Sequence, residues 1–284
     1  MCDRVAPTDA LSSLRSHEGS DMAWAQAEDG TRLFYELVGA GEPLLLVNGQ
    51  ARDHRMWDRV VADFSACHQV VLVDPRGTGA SSKPSAPPYS TRGFAADLVA
   101  VLDAAEIGRA HAYGFSMGGR VCQWLAIEHA RRMGALVLGA TTPGDAHGIA
   151  RTADADAVLS AQQSPESVRR MAEMMYSPDW IAAHPEVLTP ADPIPPHAQR
   201  LHYLASQGHD AWDRLPEITA PTLLIHGSDD LVNPTANTPL MAGQIPGAQA
   251  YIVDGGRHGS FEEYHAQSSR VVLDFLARHR IGCV

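Results

Sequence analysis

One serine in the chain stands where its hydroxyl could act as a nucleophile. Ser116 is the centre of Gly114-Phe115-Ser116-Met117-Gly118, which fits the pattern G-x-S-x-G. The apolar run RAHAYGF leads into it and the helix-like run MGGRVCQWLAIEHARR follows, so a sharp strand-to-helix turn is predicted. Such a turn strains the serine backbone and brings neighbouring chain so close that a Cβ on either side would clash. The glycines therefore indicate a serine hydroxyl held above the carboxyl edge of a sheet.

The pattern alone does not decide the matter, because a chain with 24 glycines could contain it in an ordinary turn. Its position between a predicted strand and a predicted helix favours the catalytic interpretation. With these features, the segment from about Met22 to His279 resembles the α/β-hydrolase fold family of serine hydrolases. Segments such as GEPLLLVNG and MYSPDWIAAHP are similar to carboxylesterases and enol-lactone hydrolases. The resemblance implies a histidine that takes the serine proton and a carboxylate that orients it, in the chain order serine, acid, histidine.

The resemblance assigns the acid and the histidine to two later loops. LLIHGSDDLVNP matches the family's G-x-x-D-x-x-x-P loop and implies Asp230 as the acid, with Asp229 as a solvated neighbour. Some members carry the acid after an earlier strand, where this chain has Asp145, and that alternative stays open. The glycine-rich DGGRHGSFEE lies where members have the catalytic histidine, which implies His258 as the general base.

The resemblance also implies an oxyanion hole built from two backbone N–H groups. One is the N–H of Met117, and the other comes from the loop VNGQARDHRMW, where Gln50 is favoured over Ala51. Asn48 stands where the family commonly has histidine, which leaves the hydrogen bonding of this loop open. Trp57 is expected to pack the helix that follows.

Three more features are assigned from the sequence. DPRGTGASS, from Asp74 to Ser82, matches the family segment D-x-R-G-x-G-x-S and is interpreted as a structural turn held by Asp74 and Arg76. His54 and His226 are candidate pocket residues, since they lie near the oxyanion loop and the acid loop. The remaining histidines are interpreted as surface or packed residues.

The elements that must position these loops follow from hydrophobic periodicity. TRLFYELVG alternates and predicts an antiparallel edge strand, whereas PLLLVNG and HQVVLVD are continuous apolar runs typical of buried parallel strands. Helical spacing follows Ser90 or Thr91 as the N-cap, and a closing helix carries Ser260 and Glu263 at capping-box spacing. The sequence predicts an α/β fold with a mostly parallel central sheet, helices on both faces, and a helical cap inserted after the sixth strand.

This pattern divides the chain into three parts. Residues 1–21 are polar, lack the apolar segment of a secretory signal and are predicted to be a disordered extension. Residues 22–140 and 215–284 are predicted to form the hydrolase core. Residues 141–214, with the stretch PADPIPP, are predicted to form the helical cap, or lid. Several apolar side chains of the lid would either line a pocket or pack its helices together: Met171, Met174, Met175, Tyr176, Trp180, Leu201 and Tyr203.

Composition narrows the partners. The 284-residue chain has a formal net charge of −11, which disfavours nucleic acid and anionic membranes, and no apolar run has the ~20 residues of a membrane span. Its four cysteines show no CxxC spacing and its histidines no HExxH pattern, so we expect a cytoplasmic protein with no metal and no cofactor. The expected partner is a small-molecule ester or lactone substrate, and the sequence leaves a homodimer open.

The predicted function is hydrolysis of a small to medium, largely apolar carboxylic ester or lactone through an acyl-enzyme. Other uses of the same fold stay open, namely carbon–carbon bond hydrolysis, cofactor-free oxygenation and perhydrolysis. So does a pocket that only binds, as in a cyclase without an activated serine or a ligand-binding protein. The sequence identifies no substrate-binding residues.

Overall fold

A computed structural model describes residues 21–86, 89–190 and 192–282 of the chain. Its centre is an eight-stranded sheet in the order β1-β2-β4-β3-β5-β6-β7-β8. β2 runs antiparallel to both of its neighbours, and β4 to β8 with β3 form one parallel set. The strands are β1 (Asp21–Gln26), β2 (Arg32–Val38), β3 (Glu42–Val47), β4 (His68–Val73), β5 (Ala110–Phe115), β6 (Met133–Gly139), β7 (Thr222–Gly227) and β8 (Gln249–Val253).

The described residues form ten α-helices. They are α1 (Val61–Ser65), α2 (Thr91–Ala104), α3 (Met117–Glu128), α4 (Ala153–Ser160), α5 (Pro165–Met175), α6 (Pro178–Ala183), α7 (Pro196–Gln207), α8 (Asn237–Gln244), α9 (Ser260–Glu263) and α10 (His265–Arg278). One buried apolar cluster joins the sheet to α2, α3 and α8, and a second joins its other face to α1 and α10. The predicted α/β fold with helices on both faces of a mostly parallel sheet is confirmed.

The helices α4 to α7 lie between β6 and β7, so they are inserted after the sixth strand as predicted. Short 3₁₀ turns occur at His54–Trp57, Ala130–Arg132, Pro185–Leu188 and Trp212–Glu217. Below, the helices α4 to α7 and their connections are called the lid. The predicted disorder of residues 1–21 lies outside the described residues, apart from Asp21, which begins β1. Within the described ranges, no helix combines the length and apolarity needed to cross a bilayer.

One local expectation about the sheet is wrong. The alternating segment predicted as an edge strand is β2, which lies between β1 and β4, and β1 is the edge. Even the polar Glu36 of β2 is buried, and its Oε2 lies 3.7 Å from Nε2 of His54 in the loop after β3. The N-cap of α2 is as predicted, since Ser90 Oγ accepts the N–H of Gly93 at 2.9 Å.

Candidate active site

Ser116 occupies the turn between β5 and α3, at the carboxyl edge of the parallel strands. Its backbone has φ 54° and ψ −116°, which is strained for a residue with a side chain. The flanking glycines have no alternative: a Cβ on Gly114 would lie 2.3 Å from the carbonyl oxygen of Gly118, and one on Gly118 would lie 2.1 Å from that of Val47. The close approach of β3, β5 and α3 therefore requires the glycines that the sequence places there.

Three predicted side chains from separate loops meet above this turn. Ser116 Oγ lies 3.1 Å from Nε2 of His258, and Nδ1 of the same ring lies 2.7 Å from Oδ2 of Asp230. The His258 ring is buried and packs on Phe115, with 4.9 Å between ring centroids. A hydroxyl, an imidazole and a carboxylate in this sequence of contacts can pass a proton from the serine to the histidine.

The carboxylate of Asp230 is held by four donors. Oδ1 accepts the N–H groups of Val232 at 2.7 Å and Asn233 at 2.8 Å, while Oδ2 faces His258 and Nε2 of His226, the latter at 2.9 Å. Burial by itself would raise the pKa of Asp230, but the charge of His258 and the hydrogen bonds from both histidines hold that pKa well below its usual range. An ionised carboxylate only accepts hydrogen bonds, so Nδ1 of His258 carries its proton and Nε2 is left to accept the Ser116 hydroxyl.

The two other candidate acids lie elsewhere. Asp145 has its Oδ1 3.5 Å from the guanidinium of Arg120, and its carboxylate is one-third exposed. Asp229 accepts the hydroxyl of its neighbour Ser228 at the surface. Of the three acids considered from the sequence, Asp230 is the one that contacts His258.

His226, one of the two candidate pocket residues, is buried and contacts Asp230. Its Nε2 faces Asp230 Oδ2 and the carbonyl of Asn233, both at 2.9 Å, and its Nδ1 faces Oγ1 of Thr238 at 2.9 Å. Because both groups near Nε2 are acceptors, Nε2 carries the proton and Nδ1 accepts the threonine hydroxyl. His226 is thus a second imidazole on the acid, and its spacing of four residues from Asp230 is the one sequence signal for it.

The loop after β3 is braced by Asn48, whose role the sequence left open. Its Oδ1 accepts the indole N–H of Trp57 at 2.8 Å. Its Nδ2 donates to the carbonyl of Val73 at 2.8 Å and to that of Arg52 at 3.2 Å. The asparagine therefore ties the end of β3 to the end of β4 and to its own loop, and Trp57 is fully buried against it.

A lid residue completes this loop, and nothing in the sequence pointed to it. Ala51 has φ 56°, and its N–H donates to Nδ1 of His202 at 3.2 Å. Nε2 of His202 faces the carbonyl of Arg76 at 2.8 Å, so that nitrogen carries the proton. Burial lowers the pKa of His202 to about 4, which keeps the ring neutral. Since the Ala51 N–H is occupied, Gln50 is the better placed of the two predicted donors.

The N–H groups of Gln50 and Met117 remain available to a ligand. Within the described residues, the Gln50 N–H donates no hydrogen bond. Met117 is the first residue of α3, so its N–H has no hydrogen-bond partner within the helix. It lies at the N-terminus of the helix, where negative charge is favoured.

Asp74 holds the neighbouring loops together, in keeping with the structural role inferred from the sequence. It accepts the N–H groups of His54 at 2.9 Å and Ala80 at 2.7 Å, and His54 Nδ1 lies 2.6 Å from it. Burial lowers and Asp74 raises the pKa of His54, and the net direction is upward. Asp53, His54 and Asp74 could offer a metal one ligand atom each, within 4.8 Å of one another. These atoms already serve hydrogen bonds inside the loops, Asp53 to Arg55 among them.

The lid contacts the histidine loop directly. The N–H of His258 donates to the carbonyl of Met174 at 3.4 Å, and that of Gly259 donates to Met175 at 2.7 Å. A Cβ on Gly259 would lie 2.4 Å from the ring of Tyr176. The position of His258 is therefore coupled to the end of α5.

The capping box predicted for Ser260 and Glu263 is wrong, because Glu263 contacts the lid instead. Ser260 is the first residue of α9 and makes no cap, and Glu263 reaches instead to the backbone N–H and the hydroxyl of Ser177 in the lid. The phenol of Tyr176 likewise donates to Glu262. Both glutamates fasten the lid to the core.

The apolar side chains of the lid divide among several clusters. The buried cluster that faces the acid loop contains Met174 but not Tyr176 or Trp180, which stack on each other at 4.2 Å between centroids. Its members are Ala155, Val158, Met174 and Val232, with Leu159 and Met171 packed against them. We call this set the lid cluster.

Comparison with known proteins identifies the class. The family described as the alpha/beta hydrolase fold matches residues 42–264, so the chain belongs to that family, as the sequence resemblance predicted. A protein of Azorhizobium caulinodans, provisionally named a carbamate hydrolase, RutD, is 32% identical over 84% of this chain and 91% of its own.

Two other relatives bear different substrate names. A 2-hydroxy-6-oxononadienedioate/2-hydroxy-6-oxononatrienedioate hydrolase of Burkholderia vietnamiensis is 29% identical over 88% of this chain and 93% of its own. The solved structure of the enol-lactonase of Burkholderia xenovorans LB400 has a TM-score of 0.76 and 26% identity, covering 90% of this chain and all of that one (100%). The chain is a member of a hydrolase family whose relatives are named for several substrates.

Proposed function

We propose that the protein is a serine hydrolase that cleaves small to medium, largely apolar carboxylic esters or lactones through an acyl-enzyme. The observation that carries the proposal is the contact of Ser116 Oγ with His258 Nε2 at 3.1 Å, backed by Asp230 at 2.7 Å from the other ring nitrogen. The site thus combines a weak nucleophile, an imidazole whose Nε2 faces it and an ionised carboxylate that orients the imidazole.

In the proposed reaction, His258 takes the Ser116 proton as the serine oxygen attacks the carbonyl carbon. The carbonyl π electrons move to its oxygen, and the N–H groups of Met117 and Gln50 stabilise the negative charge there. The tetrahedral intermediate then expels the alcohol, which receives its proton from the imidazolium of His258.

Deacylation repeats these steps with water. His258 removes a proton from water, the hydroxide attacks the acyl carbon, and Ser116 leaves as the alkoxide that regains the proton. In both halves Asp230 stabilises the positive ring, and its lowered pKa keeps it ionised at neutral pH. The second histidine on Asp230 contributes a hydrogen bond to the same oxygen throughout.

The lid cluster supports the choice of an apolar acyl group. Its side chains come from α4, α5 and the acid loop, and Val232 stands two residues after Asp230. We infer that the acyl group packs against this cluster, since small-molecule sites typically combine apolar surface with a few convergent polar groups. A lactone substrate agrees with the name of the enol-lactonase among the similar structures.

The test is the hydrolysis of 4-nitrophenyl esters from acetate to octanoate, and of five- and six-membered lactones, by the wild type and Ser116→Ala. We expect the substitution to lower kcat by about 10³-fold or more. Ser160→Ala is the matched control, because Ser160 is exposed at the end of α4. Hydrolysis of a β-diketone with no turnover of esters or lactones would contradict the proposal and favour carbon–carbon cleavage.

A further inference from the structure

We propose that the side-chain amide oxygen of Gln50 binds substrate and selects acyl groups that carry an N–H or O–H donor within one or two atoms of the scissile carbonyl. This inference rests on the proposed function and narrows its substrate class. It assigns to Gln50 a side-chain role separate from that of its backbone N–H.

Only one end of the Gln50 side-chain amide has a hydrogen-bond partner. Its Nε2 donates to the carbonyl of Leu159 in the lid at 3.1 Å, whereas its Oε1 is buried and has no hydrogen-bond partner. In the described part of the chain only two other buried side-chain atoms share this condition, His111 Nε2 and Arg151 Nε. A buried acceptor without a partner is energetically unfavourable and rare. We therefore expect a donor on the substrate to form this hydrogen bond.

The orientation of the amide is fixed by its neighbour. A carbonyl can only accept, so the Leu159 oxygen requires the NH₂ group of Gln50 to face it. Turning the amide over would bring two oxygens together and leave the NH₂ unpaired as well. The atom that lacks a partner is therefore the acceptor.

The position of this acceptor is set by the oxyanion loop and the lid. Five covalent bonds join the backbone nitrogen of Gln50 to Oε1, so the two atoms are separated by no more than about 6 Å. Leu159 packs on the lid cluster, which includes Met174, and the carbonyl of Met174 accepts the N–H of His258. The amide of Gln50 therefore joins the loop that would hold the oxyanion to the end of α4, and we infer that its free oxygen faces the acyl group.

The chemistry of the atom defines what it can bind. An amide oxygen accepts hydrogen bonds and repels a carboxylate, so the complementary group is a neutral or cationic donor. The α-hydroxyl of a hydroxy acid ester and the N–H of a carbamate both place such a donor beside the reacting carbonyl. A purely hydrocarbon acyl group would leave the acceptor buried and unpaired.

Three isosteric substrates test the inference: 4-nitrophenyl propanoate, 4-nitrophenyl glycolate and 4-nitrophenyl N-methylcarbamate. Their acyl parts have the same number of heavy atoms, and only the last two carry a donor, an O–H or an N–H. The readout is kcat/KM for release of 4-nitrophenol, expressed as the ratio of each donor substrate to propanoate. Comparing that ratio between variants cancels the intrinsic reactivity of each ester.

We expect Gln50→Met to lower at least one of the two ratios by about 10-fold or more, the size of one lost hydrogen bond to a buried group. Gln199→Met is the matched control, since the amide of Gln199 also donates to a lid carbonyl, that of Ala161 at 2.6 Å. This control removes an amide-to-carbonyl hydrogen bond within the same part of the lid and should leave both ratios unchanged.

The ratio that falls in Gln50→Met identifies whether Gln50 Oε1 accepts a hydrogen bond from an O–H or from an N–H of the substrate. If both ratios are unchanged while propanoate is hydrolysed, the inference is wrong and the proposed function stands. If the wild type hydrolyses none of the three esters, the proposed function fails together with the inference. A fall of the same size in Gln199→Met would also overturn it, because lid tethering would then explain the effect.

Discussion

Replacement of His202 by phenylalanine should weaken folding and catalysis together, because this lid histidine holds the oxyanion loop. The ring is fully buried, accepts the Ala51 N–H at 3.2 Å and donates to the Arg76 carbonyl at 2.8 Å. Phenylalanine fills a similar volume with no nitrogen. The Ala51 N–H and the Arg76 carbonyl would each lose this hydrogen bond inside the protein.

The two losses can be given a size. Each buried group left without its partner costs about 1–3 kcal/mol, so the free energy of unfolding should fall by roughly 2–6 kcal/mol. Ala51 also has a positive φ, and a non-glycine residue stays there only where its surroundings hold it. Release of Ala51 would displace the N–H of Gln50, and loss of a whole oxyanion donor costs about 10²–10³ in kcat. For displacement short of removal we expect kcat to fall by about 10- to 100-fold with a smaller change in KM.

Urea unfolding and steady-state hydrolysis of a 4-nitrophenyl ester measure both effects. His197→Phe is the control, because His197 lies on the same helix and its Nε2 contacts the carbonyl of Lys83 at 3.1 Å, away from the oxyanion loop. We expect kcat of this control within about 3-fold of the wild type. A His202→Phe protein that is destabilised but keeps the wild-type kcat would refute the claim that His202 positions the loop.

The same residue predicts how stability depends on pH. Burial lowers the pKa of His202 from 6.5 to about 4, so the unfolded chain binds the proton more readily than the folded one between these values. Its contribution is complete above about pH 6.5 and is lost as the pH falls toward 4. The difference in unfolding free energy between wild type and His202→Phe should therefore shrink by about 3 kcal/mol from pH 7 to pH 4. A difference that stays constant over this range would show that the ring is not held neutral.

Two further substitutions test the acid and the lid. Asp230→Asn should lower kcat by about 10³- to 10⁴-fold, because a neutral amide cannot stabilise the imidazolium. The control Asp145→Asn should keep kcat within about 3-fold of the wild type. Equal losses of kcat in the two variants would contradict the choice of Asp230 as the acid. Gly259→Ala places a Cβ 2.4 Å from the ring of Tyr176 and should reduce kcat/KM by about 10-fold or more as the lid shifts. Gly243→Ala in α8 is the control, because its Cβ would meet open space. This control should raise the unfolding free energy by about 0.5–1 kcal/mol and keep full activity. A Gly259→Ala protein that is as active and as stable as the control would disprove the lid contact.

The meeting of Ser116, Asp230 and His258 could be anticipated because each residue stands in a local pattern with a backbone reason. The glycines around Ser116 are required by contacts with β3 and α3, and the order of the three residues follows the order of the strands that present them. Buried parallel strands also leave a strong signal, since their residues are apolar on both faces. The predicted edge position of β2 is wrong, because alternation of polar and apolar residues does not reveal whether another strand pairs with it.

Contacts between distant segments could not be read from the sequence. His202 reaches Ala51 across 151 positions, and Glu263 reaches Ser177 across 86, with no motif around either partner. The capping-box spacing of Glu263 was misleading, because a glutamate that can cap a helix can equally bond to a lid serine nearby in space. The unpaired oxygen of Gln50 likewise exists only once the lid carbonyl takes its NH₂ group.

Reaction with a fluorophosphonate, followed by intact-mass measurement and peptide mapping, tests directly whether Ser116 is the nucleophile. Ser116 Oγ should attack phosphorus with loss of fluoride, giving one phosphonyl group on the Ser116 peptide and a loss of esterase activity in proportion to labelling. Ser116→Ala should take up no label. Full labelling of Ser116 with activity retained, or inactivation by a label on another residue, would contradict the central claim that this hydroxyl is the nucleophile.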